Sequence, residues 1–403
     1  MGKFIFLTGH YLPKPGATGM CVHQLAKEAA RRGHDVVTIC YDDGDNTKDF
    51  DGVKIIRIVT PSFLKENMSA STTERKINHL RSLISKLVHI RRYPLRSTAL
   101  VRRYTAEIEE QITNAENVVI TASVNPLEAV IAADIIKRKY PRKVMTVYYC
   151  ADTLSNEKGD DSILPAEYRT KCGIRWEKML FESFDKVMIM ECHKEHYFSS
   201  EFAEFTKKME LVNFPLFTRL EVEANEKTDA AVELTYAGTL YRKLRNPKYL
   251  CVLLTELSKT MKIHVSFLGS GDCYDIVDTA VEESNGCIEK LGMQPHDVAM
   301  QYIGNADVLL SIGNVDSPMA PSKIYEYMST GKPIIHVYTC DEDSCINPLR
   351  RYGNALLIKE KDPSGCEMME KFIDNRKILS FEEVQRKFLS STPAYSIDLI
   401  ENL

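Results

Sequence analysis

The stretch best equipped for chemistry runs from Ala320 to Pro333, APSKIYEYMSTGKP. Pro321 and Ser322 predict the start of a helix, since proline gives up no hydrogen bond where the N–H has no partner within the helix. The free N–H groups and positive dipole end of such a start suit a diphosphate. Lys323 adds a mobile positive charge, and Glu326, one turn on, can accept hydrogen bonds from ribose hydroxyls. An ordinary helix start with a solvent-facing Lys and Glu carries the same residue types, so this stretch alone leaves both uses open.

Holding such a stretch over a ligand calls for strands that end in loops on one side. KFIFLTG is a short apolar run closed by glycine, followed by a loop, the helix-like MCVHQLAKEAARRGH and the β-rich DVVTICY. Strand, glycine loop, helix, strand opens a doubly wound parallel sheet. GVKIIRIV, NVVITA, KVMTVYY and KVMIM continue it, and the rhythm restarts after MELVNFP with VELTYAGTL, KIHVSFLGSG, ADVLLSIG and KPIIHVY. The length of 403 residues fits two such domains of about 200 residues each. The predicted class is α/β: two Rossmann-like doubly wound domains facing across a cleft, with a C-terminal helix. The chain break is expected near 213–218, giving domains at 1–214 and 215–385 and a terminal helix at 386–403 that packs back on the first domain. The polar run EVEANEKTD, Glu221 to Asp229, reads as an exposed linker. Ligands of these sheets sit beyond the carboxyl ends of the strands, so the loops after KFIFLTG, TYAGTL, VSFLGSG (with Gly269) and VLLSIG are expected at the cleft.

Apolar residues at 44% and charged residues at 27% describe a globular protein, and a net charge of −4 excludes a globally basic nucleic-acid binder. The apolar run in MGKFIFLTGH is too short for a signal peptide, and no stretch reaches the length of a membrane span, so a cytosolic location is expected. Eleven scattered cysteines without Cys-x-x-Cys read as free thiols in a reducing compartment. No metal ligands and no cofactor are expected.

The Ala320 to Pro333 run resembles the C-terminal signature of glycosyltransferase family 4, in the form Pro-Ser-Lys, two residues, Glu-Tyr-Met and then Gly-Lys-Pro. GHYLPKPGATGMCVHQLAKEAARRGHDVVTIC is similar to that family's N-terminal loop and first helix. ELTYAGTLYRKLRNPKYL, HVSFLGSGD and IEKLGMQPHDVAMQYIGNADVLLSI are similar to its C-terminal elements. The resemblance covers most of the chain and rests on the order of the motifs together. It implies the GT-B fold and a metal-independent, retaining transfer of a sugar from a nucleotide diphosphate. For this sequence it implies Gly238 at the first C-domain strand end, Arg242 and Arg245 on the donor diphosphate, and Glu326 on the ribose. Gly269, Ser322 and Lys323 complete the donor site, and Met293 lies in the backbone stretch Leu291 to Met293 that holds the base. Gly16 and Gly19 match the glycine loop of the N-domain. The family's earlier glutamate is missing, Pro318 standing in its place with Asp316 nearest; its acceptor-side histidine is missing too, where Tyr149, Cys150, Ala151 and Asp152 stand. Asp152 is then the candidate base, or else a helix N-cap, with His10 and His23 as alternatives.

Between Glu74 and Tyr104 nine Lys or Arg face a single acid, and Ile77, Leu80, Leu83, Ile84, Leu87 and Val88 form a helical apolar stripe. Residues 75–103 therefore serve either as a packed helix with a solvated basic face or as a peripheral surface for anionic lipid at the inner face of the plasma membrane. The favoured function is transfer from a nucleotide sugar, UDP-linked, to a saccharide or polyprenyl-linked acceptor in surface polysaccharide or glycoconjugate assembly, with no nucleic-acid partner. A non-hydrolysing sugar-nucleotide epimerase and a degenerate, non-catalytic partner subunit are the rivals.

Overall fold

The computed structural model describes residues 2–13, 16–61, 90–156, 164–220, 231–315 and 322–402. The chain divides into two compact units, Met1–Pro215 with Pro393–Leu403, and Leu216–Thr392.

The first unit is built on β1 (Lys3–Leu7), β2 (Asp35–Tyr41), β3 (Asp49–Phe50), β4 (Val53–Ile58), β5 (Val118–Ser123), β6 (Val144–Cys150), β7 (Lys186–Met190) and β8 (Met209–Val212). Their order in the sheet is β3-β4-β2-β1-β5-β6-β7-β8, parallel throughout except for the short edge strand β3. Helices cover both faces of such a sheet, so its strands are apolar almost end to end: all of KFIFL after Lys3 is buried. The helix Ala17–Arg31 buries Cys21, Val22, Leu25, Ala26 and Ala29, one apolar stripe at helical spacing. Beyond its end Arg32 bonds Glu28 at 2.9 Å and Asp398 at 2.6 Å, tying down the helix Pro393–Glu401.

The second unit holds β9 (Val232–Ala237), β10 (Ile263–Leu268), β11 (Ile288–Gly292), β12 (Val308–Ile312), β13 (Ile334–Tyr338) and β14 (Ala355–Lys359). All pairings are parallel, in the order β11-β10-β9-β12-β13-β14. Leu234, Val265, Phe267, Leu310 and Ile335 are fully buried in its core. In both sheets the chain builds outward one way and then returns to build the other, with the reversal at β1/β5 and at β9/β12. The crevice for a ligand opens at such a reversal, beyond the carboxyl ends of the strands.

Candidate active site

The second unit brings most of its sequence-predicted residues to that end. Gly238 directly follows β9, Gly269 follows β10 and Met293 follows β11. Backbone closes these loops onto each other: Gly238 N–H donates to Leu268 O at 2.9 Å, Gly269 N–H to Gly292 O at 2.8 Å and Leu240 N–H to Ser270 O at 2.8 Å. Gly269 has φ +144°, and a Cβ there would lie 1.9 Å from Gly238 O, so no other residue fits. Met293 is 57% exposed.

Arg245 and Arg242 part company. The Arg245 guanidinium is half-buried and forked over Asn314 Oδ1, with Nε at 3.1 Å and Nη2 at 2.8 Å, while Nη1 donates to Thr239 O at 3.1 Å. Asn314 follows β12, and Val315 N–H donates to Leu244 O at 2.9 Å, so the loops from both sides of the reversal meet at this arginine. Beneath it lies Tyr236, whose phenol burial pushes up to about 12. Arg242 turns outward to Asp275 at 2.6 Å. The structure therefore makes Arg245 the built cation of this crevice and Arg242 a surface one.

The helix Lys323–Ser329 begins after Ser322, whose side chain makes no capping hydrogen bond. Glu326 is only 8% exposed and bonds Lys323 Nζ at 2.6 Å. This excludes a solvent-facing glutamate. His296, opening the helix His296–Asn305, lies near enough to Glu326 and Lys323 to feel both charges; burial holds its imidazole below the usual range, and Glu326 opposes that. Neither His296 nor Asn314 stood out in the sequence, because each draws its meaning from a neighbour on another loop. Asp316, Pro318 and Pro321 lie outside the described residues, as do Glu221 to Asp229 and residues 75–89 of the basic stretch.

In the first unit Gly16 is the N-cap of Ala17–Arg31, with open space where a Cβ would point. Gly19 belongs to the first turn of that helix and is buried, not part of a free loop. His10 stands edge-on to Tyr41, ring centroids 5.3 Å apart. His23 is buried, with Nδ1 2.8 Å from Tyr11 Oη and Nε2 3.1 Å from Asp51 Oδ2, so both nitrogens are engaged. Asp152 follows β6 and starts no helix; the next described helix is Ala166–Ser183. Next to it the structure adds His193, in the turn after β7. His193 is buried, its Nε2 has no hydrogen-bond partner among the described residues, and burial lowers its pKa to about 4, with His196 lowering it further and an Ala151 backbone contact opposing.

The loop carrying Asp152 is braced from below by Glu177, which is fully buried. Its carboxylate accepts from Leu154 N–H at 2.6 Å, Ser155 N–H at 3.3 Å, Tyr197 Oη at 2.6 Å and Ser155 Oγ. Burial raises its pKa, and those four donors resist the rise. Gly173 lets the helix in, since a Cβ there would sit 2.3 Å from Leu154 O.

The expectation of no metal ligands overlooked carboxylate pairs at strand ends. Two Asp-x-Asp runs do follow strands: Asp43-Gly44-Asp45 after β2 and Asp341-Glu342-Asp343 after β13. Asp43 and Asp45 are both clasped by Arg57, at 2.9 and 3.0 Å. Asp343 turns inward, where it meets His336 and Cys345. None of the eleven cysteines forms a disulfide. Among the described residues no helix is long and apolar enough to cross a membrane. In the basic stretch Arg103 bonds Val59 O, so that cation has a structural use.

No protein-family model matches the sequence, and no curated protein matches it. Solved structures do match along nearly the whole chain. A sucrose-phosphate synthase from Thermosynechococcus elongatus has TM-score 0.58 at 13% identity, over 99% of this chain and 95% of that one. Anabaena Alr3699/HepE, in complex with UDP, has TM-score 0.53 at 12% identity, over 98% and 94%. A UDP-N-acetylglucosamine 2-epimerase has TM-score 0.51 at 9% identity, over 98% and 91%. Two Rossmann-like parallel sheets on one chain, in this order and with these neighbours, constitute the GT-B fold.

Proposed function

We propose that this chain is a retaining, family-4-like glycosyltransferase that moves a sugar from a UDP-linked donor to a saccharide or lipid-linked acceptor, in surface polysaccharide or glycoconjugate assembly. The observation that carries it is Arg245, forked over Asn314 where the loops after β9 and β12 meet. A planar guanidinium with its plane fixed is suited to a diphosphate whose negative charge grows as it departs. Lys323 adds charge, Glu326 takes the ribose hydroxyls, and Gly238 and Gly269 admit backbone close to the donor. No metal takes part in this scheme, so transfer should persist in EDTA. The first unit is the acceptor side, with Asp152, His10 and neutral His193 as its candidate groups. Residues 75–103 meet anionic lipid at the inner face of the plasma membrane, and liposome co-sedimentation that ignores lipid charge would refute that part.

A thermal-shift screen over UDP-, GDP-, ADP- and dTDP-sugars tests the donor site, since a ligand at 100 times its Kd stabilises by about 2.7 kcal/mol. UDP-sugars should shift the melting temperature most; no shift with any of them would overturn the proposal. The structural match to a UDP-N-acetylglucosamine 2-epimerase keeps one rival in play. Conversion of donor alone, without acceptor, would decide for it. Donor binding with no turnover of any kind would mark a non-catalytic partner subunit.

A further inference from the structure

His336, Asp343 and Cys345 are buried together beneath the loop after β12, and their donor atoms all lie within 4.8 Å of one another. His336 is 0% exposed, on β13 directly across from Ser311 of β12. Its Nδ1 is 3.0 Å from Ser311 Oγ, which fixes the ring. Its other nitrogen, Nε2, faces Asp343 Oδ2 at 3.5 Å, and neither atom has a hydrogen-bond partner. Asp343 is itself fixed: its Oδ1 accepts from Cys345 N–H at 2.7 Å, and Oδ2 fills the place where a Cβ of Gly313 would be, 1.6 Å away.

With Nδ1–H donating to Ser311, the lone pair of Nε2 points at a carboxylate oxygen, and in that tautomer the two facing acceptors call for a cation between or beside them; with Ser311 donating instead, Nε2–H faces the carboxylate. We infer that His336, Asp343 and Cys345 form a buried site for a thiophilic divalent cation, with zinc as the best fit. Three facts select that class. A neutral imidazole, a carboxylate and a thiolate carry a summed charge of −2, which balances a divalent ion. Nitrogen, oxygen and sulfur together suit zinc over magnesium or calcium, which take oxygen alone. In a tetrahedral zinc site the ligand atoms stand about 3.3 to 3.7 Å apart, and Nε2 and Oδ2 already do. The hydrogen bond that Nδ1–H would donate to Ser311 Oγ is the orienting contact that metal-bound histidines use on their other nitrogen. Binding displaces the Cys345 thiol proton to solvent, so uptake should strengthen as pH rises. The ion would pin β13 to the turn that follows it, beside Gly313, but the site's existence does not depend on the donor reading.

The test uses the full chain produced in zinc- or cobalt-supplemented medium and desalted. About one equivalent of metal per chain is expected, with a thiolate-to-cobalt charge-transfer band in the cobalt form. Asp343→Asn should weaken retention at least tenfold, and Cys345→Ser should abolish the band. A wild-type chain that retains no stoichiometric metal would overturn the inference and leave the trio as a histidine–carboxylate contact beside a thiol. Should Cys345→Ser fail to fold, zinc-edge absorption of the wild type decides: a shell with one sulfur supports the site, and a shell without sulfur refutes it.

Discussion

Two buried carboxylates sit behind the loops that matter in this molecule, and they are treated in opposite ways. Glu177, in the first unit, is surrounded by four donors and has every oxygen occupied. Asp343, in the second, has one oxygen held and the other aimed at a histidine nitrogen that offers it no hydrogen bond. Folding tolerates a buried carboxylate at modest net cost when donors replace its lost water, and at high cost when they do not. Glu177 therefore reads as a brace and nothing more. Asp343 reads as half of an arrangement completed by a proton or a metal ion.

The largest expected effect breaks the brace. Glu177→Ala strands the Leu154 and Ser155 N–H groups in the interior, each worth about 1 to 3 kcal/mol when left without a partner, and takes an acceptor from the hydroxyls of Ser155 and Tyr197. Against a total of about 5 to 15 kcal/mol, denaturant titration should show the first unit strongly destabilised or unfolded. A loss under about 1 kcal/mol would mean that water reaches the site and the contrast with Asp343 fails.

Next in size is a pH effect in the same unit. His193 has its folded pKa lowered to about 4 by burial, below the 6.5 of an exposed histidine. The unfolded chain therefore takes up the proton first as pH falls, so the stability is whole above about 6.5 and is lost progressively down to about 4. The loss amounts to about 3 kcal/mol at most. His193→Gln should flatten that window in denaturation curves taken at several pH values; an unchanged slope would place His193 in contact with water.

The donor site gives a smaller figure, read in binding. Glu326→Gln keeps shape and removes a charged acceptor, so at about 1.5 to 3 kcal/mol the donor Kd should rise at least tenfold by calorimetry, with little change in stability. Normal donor binding with a lower melting temperature would show a structural glutamate. Smallest of all is Asp343→Asn in metal-free protein. The amide keeps the bond from Cys345 N–H, so the change should stay within about 1 kcal/mol, in contrast to Glu177.

The sequence carried the fold well, because two rows of glycine-closed apolar strands leave few other solutions. It could not order the strands, since that depends on which pairs meet in space. Arg245 was legible through its motif; its grip on Asn314, 69 residues away, was not. Glu177 hides inside a helix where a surface glutamate looks the same. His336, Asp343 and Cys345 come from a strand and the turn after it, and only folding turns Asp343 inward while its near neighbour Asp341 pairs with Lys359 outside. The partners of His23, Tyr11 and Asp51, were hidden for a similar reason, since they come from separate loops.

The helix Pro393–Glu401 belongs to the first unit, although all of the second unit precedes it in the chain. During synthesis the ribosome delivers Arg32 long before Asp398, its partner 366 residues later. At about 5 to 20 residues per second, Arg32 waits roughly 20 to 70 seconds for that partner. Throughout that interval the Ala17–Arg31 helix lacks its cover. The second unit suffers no such delay, being an uninterrupted insertion that can close as soon as it emerges.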